Sequence, residues 1–243
     1  MNIVRGRDKN SDLPAAGRVT DIKTQKRYPS RVSVFIDGEF AFGLSAELCV
    51  QYGIRIGEEV DDERLRRILL DEEYKLAENK AWQLLSGRAH SRRELEHKLR
   101  RYEFADALIA RVLDKLSAAG YLNDLQVARD YVRSRLQVRP MGRKLLLREL
   151  QQKGIPDELC EKVLSESFAE ESVERELAMQ LYAKKKKQLR GQPAHKAREK
   201  MARALVARGF SREAIRAVIE DDPDGLFDTT EEHGFTDEHN SLP

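Results

Sequence analysis

The sequence predicts a mainly α protein in which three tandem three-helix repeats form an elongated, curved array, preceded by a small N-terminal β-hairpin unit. Three observations predict it. An apolar pattern recurs: Leu99, Phe104, Ile109, Val112 and Leu113 become Leu150, Ile155, Cys160, Val163 and Leu164 after 51 residues. After a further 55 they become Leu205, Phe210, Ile215, Val218 and Ile219. Self-similarity at such a period marks stacked units that bury one continuous core. The second observation is punctuation by capping residues and glycines at matching places in the pattern. The third is a short stretch of strand-like alternation, Val32, Val34 and Ile36, that ends in Asp37-Gly38.

Residues 1–17 are polar, charged and broken by Pro14, which predicts a disordered start. Over 18–72, Val19 and Ile22 suggest a strand, and Val32 to Ile36 a second. Asp37-Gly38 supplies a two-residue turn, and Phe40 and Phe42 continue the alternation on a return strand. Ser45 caps a short helix that ends near Gly53, and Asp61 or Asp62 opens another toward Asp71.

The first repeat, 73–122, opens with Ala81, Trp82, Leu84 and Leu85, and Ser91-Arg92-Arg93-Glu94 reads as a capping box for its second helix. Leu108, Ile109, Val112, Leu113 and Leu116 form the stripe of the third helix, which stops at Gly120. The second repeat, 123–168, begins at Asn123 and breaks at Pro140, and its middle helix ends at Gly154. The third repeat, 169–219, opens with a long helix ending in Lys184 to Lys187, and Gly209 matches Gly154. The equivalent residue in the first repeat is Glu103, so a different turn is expected there. Residues 220–243 hold nine acidic and no basic residues and few aliphatics, predicting a disordered acidic tail.

A net charge of +2 conceals a partition: −2 over 1–74, +13 over 75–219 and −9 over 220–243. The positive charge gathers in two places. Arg133, Arg135, Arg139, Arg143 and Lys144 crowd one helix end and the next helix start. Lys184, Lys185, Lys186, Lys187, Arg190 and Lys196 form the densest cluster. A polyanion or an acidic protein groove is the natural partner for such a surface. Aromatic residues do not interleave with these clusters, so stacking on single-stranded bases is not indicated.

Enzyme chemistry finds no foothold in the sequence. No phosphate loop, GxGxxG, nucleophile elbow or HExxH motif occurs. His90 and His97 read as surface histidines, and Cys160 sits in an apolar register as a buried small side chain. Asp157, Glu158, Glu161 and Lys162 offer fragments of a nuclease motif, but on a helix whose apolar face repeats elsewhere. No metal, cofactor or membrane span is expected. The N-terminus has no apolar signal region, and two cysteines without ligand spacing suit reduced thiols in the cytoplasm.

Residues 81–99, Gly120-Tyr121-Leu122-Asn123-Asp124, 128–135, 142–150 with Lys153-Gly154-Ile155, and the N-terminal 31–40 together resemble the RecX family of bacterial recombination regulators. The resemblance runs over about 18–219 in the family's order. It implies a monomeric, non-enzymatic protein that binds the RecA nucleoprotein filament along its helical groove. Such a protein restrains filament growth and strand exchange and damps the ATPase and coprotease activities of RecA. It leaves open direct contact with single- or double-stranded DNA. The rival reading is a sequence-tolerant DNA-binding protein with helix-turn-helix-like repeats.

Overall fold

A computed structural model describes residues 14, 16–223 and 225–227. The expected disordered start and acidic tail therefore lie largely outside the described residues. The chain divides into two compact units, one of residues 1–88 and 96–118, the other of 89–95 and 119–243.

In the first unit, strands β1 (Gly17–Gln25), β2 (Tyr28–Ile36), β3 (Glu39–Ser45) and β4 (Glu59–Val60) make an antiparallel sheet of order β3-β2-β1-β4. Asp37 and Gly38, at φ 49° and 90°, make the tight turn expected of that dipeptide. The alternation beyond it fails, however. Val34 pairs with Phe42 and Phe35 with Phe40, so Ala41 is an extra residue that bulges the edge strand. Phe42 is consequently buried and Phe40 half exposed, on opposite faces rather than one.

Helix α1 (Ala46–Gln51) is capped by Ser45, whose hydroxyl accepts from the Leu48 amide at 3.2 Å. Helix α2 (Asp62–Leu85), capped by Asp61, runs unbroken for 24 residues where two separate helices were expected. The expected end toward Asp71 falls at its centre. Glu72 is instead buried, held by the Arg31 guanidinium and the Ser45 amide, so a polar residue joins the helix to the sheet. Helix α4 (Asp106–Ala118) packs on α2.

Helix α3 (Arg92–Arg100) opens with the expected capping box: the Glu94 amide donates to Ser91 Oγ at 3.0 Å, and the Ser91 amide to Glu94 Oε2 at 3.3 Å. The second unit continues with α5 (Asp124–Val138), α6 (Arg143–Gln152), α7 (Asp157–Ser167), α8 (Glu171–Leu189), α9 (Ala194–Ala207) and α10 (Arg212–Asp221). Three tandem three-helix repeats are thus present, and Leu99, Leu150 and Leu205 are all fully buried.

Two details depart from expectation at the turns. Gly154 and Gly209 take φ 72° and 77°, but Glu103 takes φ 64° as well. Its amide donates to the carbonyl three residues back, as do those of Gly154 and Gly209. The first repeat keeps the same left-handed turn without the glycine. Beyond α10, Asp222 accepts from the Leu226 and Phe227 amides and from the Tyr182 hydroxyl at 2.7–3.0 Å. Phe227 meets the Tyr182 ring edge-on, so the start of the acidic segment folds onto the third repeat.

Candidate interaction surface

Repeats two and three interlock through backbone rather than charge. The Gly142 amide donates to the Arg208 carbonyl at 2.9 Å and the Lys144 amide to the Gly209 carbonyl at 3.1 Å. Glu174 of α8 accepts from the amides of both Arg143 and Ser211 at 3.2 Å, covering the open ends of α6 and α10 together. One turn earlier in the array the same register recurs: Ser91 Oγ donates to the Lys153 carbonyl, and Asp124 accepts from the Arg92 amide at 2.8 Å. The starts of α3 and α6 are thereby held against the turn of the following repeat.

The first basic cluster is built on this frame and is divided in role. Arg135 donates through Nε to Glu149 Oε2 at 2.8 Å and through Nη2 to Oε1, while the Tyr131 hydroxyl donates to the same carboxylate at 3.0 Å. Burial pushes the Glu149 carboxyl up, but the hydrogen bonds from Arg135 and Tyr131 outweigh it and hold the group below its ordinary range. Burial, reinforced by the Glu149 contact, raises the Tyr131 phenol. Lys153 sits 4.7 Å over the Tyr131 ring and pairs with Glu94 at 3.1 Å. Arg135 therefore ties α5 to α6.

Arg143 is similarly committed, its guanidinium paired with Glu161. Arg139 is half-buried, with Nε enclosed and lacking a hydrogen-bond partner. Arg133 is exposed and only loosely beside Asp130, at 3.5 Å. Lys144 is exposed at the start of α6. What reads in the sequence as five equivalent cations is a structural ion pair, a second pair at the surface, one enclosed guanidinium and two outward charges.

The second cluster lies elsewhere. Glu174 touches the start of α6, and Lys184 follows ten residues along α8, about 15 Å at 1.5 Å per residue. Four consecutive residues on a helix cannot share one face. Lys184 and Lys187 are exposed. Lys185 and Lys186 are half-buried, Lys185 falling between Tyr182 and Leu189 in the register of the core stripe. Lys186 and Lys187 close the last turn, where the helix dipole favours positive charge. Arg190 and Lys196 are exposed around the turn that follows.

Sequence reasoning passed over Arg198, Arg212 and Arg216, which border a shallow groove between α9 and α10 with Val206, Ile215 and Ile219. The signal was present as Arg212 in the place of Asp106 and Asp157, and Arg216 in the place of Ala110 and Glu161. His90 is buried at 2% exposure, not a surface residue, while His97 is exposed. Among the described residues no cluster of three or more His, Cys, Asp or Glu could hold a metal ion, and no helix is long and apolar enough to cross a membrane. Cys160 is fully buried; burial pushes its thiol up, away from the thiolate that reactivity needs.

Sequence profiles of known families match in the order of these elements. The RecX N-terminal domain covers residues 17–61, and the first, second and third RecX three-helix domains cover 77–116, 123–164 and 173–219. The chain is 32% identical over 203 residues to Regulatory protein RecX of Bacillus subtilis (strain 168), across 83% of this chain and 76% of that one. Regulatory protein RecX of Clostridioides difficile (strain 630) is 30% identical over 203 residues, across 84% and 94%. Among solved structures, a crystal structure of regulatory protein RecX superposes with a TM-score of 0.67 at 25% identity, across 85% of this chain and 99% of that one. RecX from Lactobacillus salivarius gives 0.57 at 25% identity, across 62% and 96%. With a β unit and three helical repeats each matched in order, the chain belongs to the RecX family of regulatory proteins.

Proposed function

We propose that this chain is a negative modulator of the RecA recombinase that binds the RecA–DNA filament in its helical groove. There it restrains filament growth and strand exchange and lowers the ATPase and coprotease activities. Family membership supports the regulatory role. The observation that carries the binding mode is the separation of cations in repeats two and three. Arg135 and Arg143 are committed to carboxylates, whereas Lys144, Lys184, Lys187, Arg190 and Lys196 are exposed on the helices or in the turn between α8 and α9. Charges held on rigid elements keep their spacing on binding, and several contacts acting together turn modest attractions into useful affinity. This mode of action requires no turnover of substrate.

The same outward lysines support the rival reading, direct sequence-tolerant binding to DNA. Labelled single-stranded DNA separates the two. Under the filament reading, the chain associates with the strand only when RecA and nucleotide are present. Equal binding to naked DNA, with log affinity falling by about 0.9 per phosphate neutralised per decade of salt, supports the rival instead.

A further inference from the structure

The third repeat departs from the other two along one edge. Positions 109 and 113 of the first repeat and 160 and 164 of the second are buried at 1% exposure or less. Their counterparts Ile215 and Ile219 are only half-buried, while Ala214 is buried where the earlier repeats carry the half-buried Leu108 and Leu159. Val206 of α9, 63% exposed, stands where the earlier repeats carry Arg100 and Gln151. Ile215, Ile219 and Val206 together floor the shallow α9–α10 groove.

The rim has changed sign as well. The first residue of α4 is Asp106 and of α7 is Asp157, each favourable at a helix N-terminus. The first residue of α10 is Arg212, a cation at the end where the dipole disfavours it. Arg216 stands where the earlier repeats carry Ala110 and Glu161. It is 77% exposed, and Glu220 comes only to 4.0 Å. Arg198, in the register of Arg92 and Arg143, completes the rim from α9, and Glu220 lines the groove beside these three arginines. An exposed apolar residue in place of a polar one works against the solubility of a terminal repeat, and a cation at the start of α10 works against its local stability. Their common location on one groove calls for a partner.

We propose that the α9–α10 groove is the docking site for an acidic amphipathic helix of a partner protein, its aliphatic side chains on Val206, Ile215 and Ile219 and its carboxylates on Arg198, Arg212 and Arg216. A groove between two packed helices accepts the ridge of a third, read as anchors at i, i+3 or i+4 and i+7. Guanidinium groups pair with carboxylates two bonds at a time, which fixes the partner's register. Nucleic acid fits less well: the floor offers no ring for a base to stack on, and three aliphatics gain nothing against phosphate. The inference rests on the groove itself and stands independently of the RecA reading.

The test is fluorescence anisotropy of the full chain with two labelled helical peptides. Both carry a leucine stripe at i, i+3, i+4 and i+7 spacing over about 18 residues. One is flanked by glutamate and the other by lysine. The glutamate peptide is expected to bind and the lysine peptide not. Val206→Asp, at an exposed position that leaves the core intact, should weaken the glutamate peptide at least tenfold. Arg212→Glu with Arg216→Glu should exchange the preference of the two peptides. Equal affinity for both peptides, or binding indifferent to Val206→Asp, overturns the proposal. Competition by a synthetic peptide of residues 228–243 overturns it in favour of the chain's own C-terminal residues, and competition by an oligo-dT strand in favour of nucleic acid. Because no RecA is present, failure here is distinct from failure of the filament reading.

Discussion

Glu103 shows what one residue costs and why it is tolerated. A non-glycine in the left-handed region carries about 1–2 kcal/mol of strain, yet Glu103 keeps the turn that glycine makes in the other two repeats. Glu103→Gly is therefore expected to raise the stability of the chain by up to about 1 kcal/mol, read as a shift of the urea midpoint at unchanged slope. A fall in stability would show that the glutamate makes a compensating contact. Arg135 is the opposite case, a cation that belongs to the fold. Arg135→Ala should cost about 1–3 kcal/mol, because it strips charged hydrogen bonds from the largely buried Glu149. Arg133→Ala, at an exposed site, should stay within about 0.5 kcal/mol. Equal costs for the two would refute the division of the cluster. The pH dependence has a definite sign. Glu149 is held below its unfolded value of about 4.3, so its contribution is present above that value and lost as pH falls through the folded one. Glu149→Gln should accordingly be destabilised relative to the parent at pH 7, with the gap closing as pH falls below the unfolded value of about 4.3.

Between elements, stability is carried by the core register and by backbone contacts at the repeat junction. Truncating Leu150 or Leu205 to alanine removes a fully buried side chain from its own repeat and should cost about 2–5 kcal/mol by denaturant titration. A Cβ at Gly142 would overlap the Gly209 carbonyl and the Phe210 backbone, groups that cannot move without breaking the junction. Gly142→Ala should therefore cost several times the few tenths of a kcal/mol that glycine loses at an ordinary N-cap. A neutral outcome would mean that the two repeats do not dock through this turn. The repeats, their caps and their buried leucines were legible because period, glycine and capping box report local geometry. The continuity of α2 was not, since the counter-charge that lets Glu72 be buried at its centre is Arg31, about forty residues earlier in the sequence. The opposite facing of Phe40 and Phe42 was hidden for a similar reason: the bulge at Ala41 is set by pairing with β2, not by the strand's own alternation. The basic clusters could be located in the sequence but not sorted, because only packing shows which cations meet Glu149 and Glu161 and which meet water.

For the molecule as a whole, the charge partition acts on partners more than on folding. Outward lysines add little to stability, so replacing them leaves helix content unchanged while altering association. Their effect on binding should shrink as salt rises, since the Debye length falls to about 8 Å at physiological ionic strength. The most direct test of the central claim is inhibition of RecA-catalysed strand exchange by the wild-type chain and by a variant with the exposed Lys144, Lys184 and Lys187 replaced by glutamine. Helix content and thermal midpoint are monitored alongside. The account predicts inhibition by the wild type and at least tenfold weaker inhibition by the variant at low salt, with folding intact. Full inhibition by the variant at matched concentration would contradict the assigned surface, and a wild-type chain without effect on any RecA activity would contradict the proposed function.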